Sequence, residues 1–241
     1  MVYPSGLGGG IVQTIGLIGG MSWESTVPYY RIINETVKER LGGLHSAKVV
    51  LHSVDFQEIE RMQHAGDWAA AGRAMAAAAR SVHAGGADFM VLCTNTMHKV
   101  AEAMERAVPI PLLHIADPTA QAVRARGFRR VGLLGTRFTM AEDFYRGRLR
   151  DRHGLEVLVP EPSDQAVVHR VIYEELCMGR VLEASRQPFQ RIIRGLAEAG
   201  AEGIILGCTE ISMLVEQADL PLFDTTFLHA RAAAERAAQS T

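Results

Sequence analysis

Cysteine is scarce in this chain: three in 241 residues, Cys93, Cys177 and Cys208. Three thiols cannot build a disulfide scaffold, so the fold has to rest on a hydrophobic core, and free thiols suit a reducing cytoplasm. Long apolar runs are lacking too; none reaches the length that spans a bilayer. The start, MVYPSGLGGG, has neither the basic nor the apolar region of a secretory signal, and residues 1–12 read as a flexible, glycine-rich extension. Neither sign of charge is in excess, since 25 Lys and Arg stand against 27 Asp and Glu, a formal net charge of −2. That balance gives no electrostatic reason to expect nucleic acid or a membrane as partner. Arginines gather only in RARGFRR (124–130) and YRGRLRDR (145–152), which read as solvated helix faces and turns.

What is present is alternation. Short apolar runs over 14–20, 47–54, 88–93, 111–115, 130–136, 155–160, 202–208 and 220–224 read as strands, most of them apolar throughout, as in a parallel sheet covered on both faces. Amphipathic segments lie between them, among them 25–41, 67–86 and 166–179. The second should stop at Gly85–Gly86 and the third at Gly179, with Ser163 or Asp164 as N-cap of the third. Strand and helix in alternation predict an α/β fold with doubly wound parallel sheets.

The chain also repeats itself. IGLIGGM (15–21) resembles VGLLGTR (131–137), HAGGADFMVLCTNTM (83–97) resembles AEAGAEGIILGCTEI (197–211), and PLLHIAD (111–117) resembles PLFDTTF (221–227). The matches come in one order, with offsets of 116, 115 and 110. Two similar α/β domains are therefore expected, related by a pseudo-two-fold axis: 13–116, completed by a C-terminal helix over 225–241, and 117–224. Ligand sites of such sheets lie beyond the carboxyl ends of the strands. Cys93 and Cys208 both sit there, one in each half. Either they are small core residues, as cysteine often is, or they are two thiols on opposite walls of a cleft.

Two thiols on opposite sides of a carbon can invert it. One, as thiolate, takes a proton from one face; the other, as thiol, gives a proton to the opposite face. A free thiol titrates near ~8.5, so the thiolate needs help, which backbone N–H groups at a helix start can give. Thr94, Asn95, Thr96, Thr209 and Glu210 follow the two cysteines at once and could hold a carboxylate or an amine. A pyridoxal electron sink would need a suitably placed lysine. The chain has only Lys38, Lys48 and Lys99, none in an evident cofactor-binding context.

GLIGGMSWEST (16–26), CTNTMH (93–98) and GCTE (207–210), in order around a repeat, resemble the aspartate/glutamate racemase superfamily, the pyridoxal-independent two-cysteine racemases. SVDFQEIE (53–60) and IYEELCMG (172–179) are similar to its broad-specificity bacterial branch. The resemblance implies an amino-acid racemase with no cofactor and no metal, acting on a small amino acid and usually a homodimer. It implies Cys93 and Cys208 as the acid/base pair. Thr94, Asn95, Thr96 and Thr209 would lie around the substrate's α-carboxylate and α-amino groups, with Met21 and Ser22 closing the cleft. Aspartate-specific members bind the second carboxylate with cations. The stretch DQAVVHRV (164–171) offers Arg170 alone, so the substrate side chain stays open.

Cys177 reads as helix filler; His98, His114 and His229 match no metal spacing and read as core or surface histidines. Glu210 is either a thiol-tuning or amine-binding group or a helix N-terminal acid. Asp55 and Asp117 follow strands on the cleft side and are candidates to support the site. Rival readings are a cis-trans isomerase or decarboxylase of a small dicarboxylic acid, and a non-catalytic small-molecule-binding protein.

Overall fold

The computed structural model describes residues 12–239; the expected extension lies, but for Val12, outside the described residues. In chain order the elements are β1 (Ile15–Gly19), α1 (Trp23–Leu41), β2 (Val49–Ser53), α2 (Phe56–Ala65), α3 (Trp68–Ala84), β3 (Phe89–Leu92), α4 (Ala101–Glu105), β4 (Leu112–Leu113) and α5 (Ala116–Ala125). There follow β5 (Arg130–Gly135), α6 (Arg137–Ala141), α7 (Asp143–His153), β6 (Glu156–Leu158), α8 (Pro162–Glu174), α9 (Glu183–Glu198), β7 (Gly203–Gly207), α10 (Ile211–Leu214), β8 (Leu222–Asp224) and α11 (Thr225–Ala237).

The strands form two parallel four-stranded sheets, ordered β2-β1-β3-β4 and β6-β5-β7-β8. Central strands β1, β3 and β7 are buried at every residue, as their unbroken apolar runs require. Edge strand β2 is half exposed. Helices cover both faces of each sheet. On one face of the first sheet, Ile18, Met90 and Leu92 pack on the alanine-rich α3. On the other, Leu17, Phe89 and Val91 pack on α1 and α11. Alanines 230, 233, 234 and 237 give α11 a flat face, which lets it approach Tyr29, Ile33 and Val37 of α1 closely. Side chains of that size contribute roughly 1.5–3 kcal/mol each when fully buried, so this face anchors the C-terminal helix to the first sheet.

Capping sets several helix ends. Asp67 Oδ1 accepts from Ala70 N–H at 2.8 Å to start α3, which stops at Gly85. Asp224 accepts from Thr226 and Phe227 N–H to start α11. The start of α8 differs from expectation: Pro162 occupies its first turn with Glu161 before it, and Ser163 and Asp164 fall inside the helix. Proline's fixed φ already suits a first helical position. The same helix ends at Glu174, five residues early. Leu176–Met178 forms a separate 3₁₀ turn, closed by Gly179 at φ 68°.

Candidate active site

The carboxyl ends of β1 and β3 face those of β5 and β7. Between them lies a narrow cleft lined by Met21, Thr94, Asn95 and Thr96 from the first half and by Thr136, Gly207, Cys208, Thr209 and Glu210 from the second. Free space there is about 20 Å³, the room of a water rather than of an amino acid.

Strand register decides which residues correspond. Ile15 of β1 pairs with Phe89 of β3, and Val131 of β5 pairs with Gly203 of β7. The offset between β3 and β7 is therefore 114, not the 115 that aligns the cysteines. Cys208 corresponds to Thr94, and Cys93 corresponds to Gly207. Side-chain alternation along the strand gives the same answer. Phe89, Val91 and Cys93 share the face buried under α1 and α11. Ile204, Leu206 and Cys208 share the face of Met90 and Leu92. Cys93 is fully buried and its Sγ lies 3.9 Å from the Val91 carbonyl oxygen; it does not line the cleft. A Cβ on Gly207 would come within 2.7 Å of Leu133 Cδ1, so that position also faces inward. The expectation of two opposed thiols is corrected here. Cys208 faces the cleft, the position opposite is Thr94, and Cys93 is a core residue.

Glu210 is the centre of the site. Its Oε2 accepts from the Cys208 thiol at 3.0 Å and lies 2.8 Å from Thr209 Oγ1. Its Oε1 accepts from Ser22 Oγ at 2.7 Å and Ser25 Oγ at 2.5 Å. Ser22 is the N-cap of α1 yet makes no side-chain cap bond; its hydroxyl is turned to Glu210 instead. The Ser22 N–H also points at Oε1, at 3.4 Å, so the positive end of a 19-residue helix faces the carboxylate. Glu210 is buried, and hydroxyls and a helix dipole rather than a cation compensate it. The Cys208 thiol is pushed well above its ordinary range, by burial first and by the Glu210 charge second. Burial alone pushes the Cys93 thiol up.

Asn95 has a fixed orientation. Thr225 Oγ1 spends its proton on the Leu206 carbonyl at 2.8 Å, so it can only accept from Asn95, whose Nδ2 lies 3.0 Å away. Asn95 Oδ1 is then left buried with no partner. An unsatisfied buried acceptor is costly, and this one lies in a residue that lines the cleft. Among the described residues Thr94 Oγ1 makes no hydrogen bond, and Thr96 Oγ1 meets Thr136 Oγ1 across the cleft at 2.9 Å.

Behind the Cys93–Thr96 turn the histidines form a scaffold. His98 Nε2 accepts from Ile115 N–H at 3.2 Å, so Nδ1 carries the proton and donates to the Thr94 carbonyl at 2.8 Å. His229 Nε2 donates to the Leu113 carbonyl, and its Nδ1 accepts from the Tyr29 hydroxyl, both at 2.8 Å. Burial holds His98 down to about 3 and His229 to about 4. Both are neutral framework groups. Among the described residues no cluster of His, Cys, Asp or Glu has the geometry to hold a metal.

Several lining residues carried no expected role: Phe56 and Gln63 of α2, Ile172 and Tyr173 of α8, and Cys177. The words SVDFQEIE and IYEELCMG contain all of them but Gln63 and were the available signal. Cys177, expected as filler in mid-helix, is in the 3₁₀ turn instead, with its Sγ 3.9 Å from Glu210 Oε1. Tyr173 hydroxyl donates to Gln63 Oε1 at 2.8 Å across the cleft mouth, and Phe56 stacks on the Tyr173 ring at 6.4 Å. Asp55 caps α2 by accepting from Gln57 N–H, and Asp117 binds Arg148 and His153. Neither lines the cleft, which corrects their expected place beside the site.

The sequence profile of the Asp/Glu/hydantoin racemase family matches residues 18–233. A candidate Asp/Glu racemase from Yersinia pestis has the same fold with a TM-score of 0.87 and 55% identity, over 94% of this chain and 100% of that one. An aspartate racemase homologue from Pyrococcus horikoshii gives 0.79 and 33%, again over 94% and 100%. The broad specificity amino-acid racemase RacX of Bacillus subtilis is 25% identical over 143 residues, 58% of this chain; the match spans 61% of RacX. With the profile covering most of its length and a shared two-sheet fold, this chain belongs to the Asp/Glu/hydantoin racemase family.

Proposed function

We propose that the chain is a cofactor-independent amino-acid racemase in which Cys208 handles the α-proton on one face of the substrate and Thr94 stands at the other. The observation that carries this reading is the Cys208–Glu210 hydrogen bond, set opposite an unpartnered Thr94 hydroxyl at the equivalent position of the other sheet. The substrate's α-ammonium has two acceptors, Glu210 and the orphaned Asn95 Oδ1. Its α-carboxylate has the hydroxyls of Thr96, Thr136 and Thr209. An ammonium beside Glu210 offsets the charge that keeps Cys208 protonated, so binding itself favours the thiolate. Cys208 then removes the α-proton, and the carbanion takes a proton from the Thr94 side, where the hydroxyl is regenerated from solvent. In the reverse direction the α-proton leaves on the Thr94 side and is relayed through that hydroxyl to solvent, and Cys208, as thiol, is the donor.

Independence from pyridoxal is supported by the lining residues, none of which is lysine; Lys99 instead pairs with Glu142 over the Trp68 ring. Three free cysteines fit a reducing compartment such as the cytoplasm. A homodimer is supported by Trp23, Val27 and Tyr30, which stand exposed along one face of α1 at i, i+4 and i+7.

The test is loss of the α-proton signal from L-amino acids in deuterated water without added cofactor, with chiral chromatography of the products. Racemisation requires exchange and the D-form together. One observation favours a second reading: with Cys93 buried, one repeat thiol rather than two serves the cleft, and decarboxylation of a malonate needs one. Release of carbon dioxide from a malonate with no exchange of amino-acid α-protons would replace the first reading with the second.

A further inference from the structure

The part of the cleft left for the substrate's side chain is lined by Met21, Phe56, Gln63, Ile172, Tyr173 and Cys177. Of the fourteen described residues that line the whole cleft, none is lysine, arginine or histidine, and the single charged one is Glu210. The nearby cations lie outside that lining. Arg170 pairs with Glu174 and Glu175, and Lys99 with Glu142. Arg137 stacks on Phe138. His169 packs behind Tyr173, half-buried and held to about 4, so it is neutral at pH 7. Gln63 has both ends of its amide committed, Oε1 to the Tyr173 hydroxyl and Nε2 to Met97 Sδ at 3.1 Å.

We infer that this site selects amino acids with uncharged side chains, the selecting wall being Phe56, Gln63, Ile172 and Tyr173. The inference rests on the racemase reading above. A side-chain carboxylate would enter a nearly dry space that already holds Glu210, and it would find no counter-charge. Unpaired charge in such surroundings is strongly disfavoured. A side-chain ammonium or guanidinium would find the one carboxylate already taken by the α-ammonium, on the Cys208 side. An uncharged chain meets aromatic faces and a neutral amide, which ask nothing of it beyond shape.

Isosteric pairs separate charge from size. The rate of α-proton exchange per unit concentration (kcat/KM) is measured for asparagine against aspartate, glutamine against glutamate, and methionine against lysine. The neutral member is expected to lead by 100-fold or more in each pair. Equal rates, or a charged member ahead in any pair, would overturn the inference while leaving racemisation intact. If no amino acid exchanges, the racemase reading fails, and calorimetric binding of the same pairs to the Cys208→Ser protein still decides the side-chain class: tighter binding of the neutral members supports it, and equal or weaker binding overturns it. Placing a cation on the wall, Gln63→Lys, is expected to raise aspartate relative to asparagine by at least tenfold. An unchanged ratio in a folded variant would remove Gln63 from the selecting wall.

Discussion

The Cys208 thiol donates to Glu210 Oε2 at 3.0 Å, while the other oxygen of the same carboxylate accepts from Ser22 and Ser25 in the opposite half of the molecule. One side chain therefore sets the charge on the thiol and ties the two halves together. Replacing it with glutamine keeps the shape, but it turns one of the two accepting oxygens into a donor and removes the charge that pushes the thiol up. In a Cys177→Ala background, Glu210→Gln is expected to speed alkylation of Cys208 at pH 7.5, because the neutral amide no longer disfavours the thiolate. Racemisation should nonetheless fall by roughly 100-fold or more, because the ammonium loses its partner. Slower alkylation would show that Glu210 activates the thiol instead of restraining it.

Three substitutions test which residues face the cleft. Cys93→Ala should retain activity within a few-fold and cost ~1 kcal/mol of stability, the consequence of a small cavity under α1 and α11. Thr94→Ala and Cys208→Ala should each lower racemisation by roughly 100-fold or more without loss of fold. Steady-state kinetics with thermal melts checks all three. Loss of activity in Cys93→Ala at unchanged stability would restore the two-thiol arrangement.

Stability should fall as pH drops from about 6.5 towards 4. His98 and His229 titrate near 3 and 4 in the folded chain, below the ordinary histidine value that the unfolded chain keeps. On acidification the unfolded state takes up protons first, and the native state loses ground. Burial of His114 acts in the same direction. Asp117, held below its ordinary value by Arg148 and His153, contributes a separate loss only below about 4. Melting temperatures at pH 8, 6.5 and 5 check the first window. A flat profile from 8 to 5 would mean that the imidazoles protonate without cost.

Free space of about 20 Å³ cannot hold an amino acid, so binding has to move the lining side chains or part the halves. Trp68 on the first half meets Phe138 on the second edge-to-face at 5.1 Å, under the Lys99–Glu142 pair. Trp23, the other tryptophan, is exposed. Saturating a Trp23→Phe protein with substrate should shift Trp68 emission; an unchanged spectrum at saturation would place the opening motion elsewhere.

Light scattering on the gel-filtered protein is expected to give twice the mass of the 26.3 kDa chain. Charge placed on the exposed face of α1, as Trp23→Glu with Tyr30→Glu, should yield monomer. A wild-type monomer at micromolar concentration would leave that face without the proposed partner.

Much of this was legible in the residues. Runs such as FMVL and GIILG identify buried strands because a doubly covered parallel sheet tolerates no polar position along them, and their alternation with helices dictates the two sheets. Three short matched words were enough to reveal the repeat. The error over Cys93 came from one glycine: Gly207 stands where the first half has cysteine, and aligning the two CT words shifts the register by one residue. In a structure of period two, that shift exchanges core for cleft. Cys177 was hidden for another reason. Its place beside Glu210 depends on where α8 breaks, and nothing in EELCMG before Gly179 marks a break at Glu174.

The two walls of the cleft are chemically unequal, with a thiol and a carboxylate on one and hydroxyls on the other. Mirror-image amino acids have identical free energies in water, so this inequality cannot tilt the final mixture away from one to one. By the Haldane relation kcat/KM must be the same for both enantiomers. What unequal walls can change is how long each enantiomer occupies the protein. The one that turns over faster has to bind more weakly in the same proportion, and which one accumulates in a cell is then decided by whatever removes it.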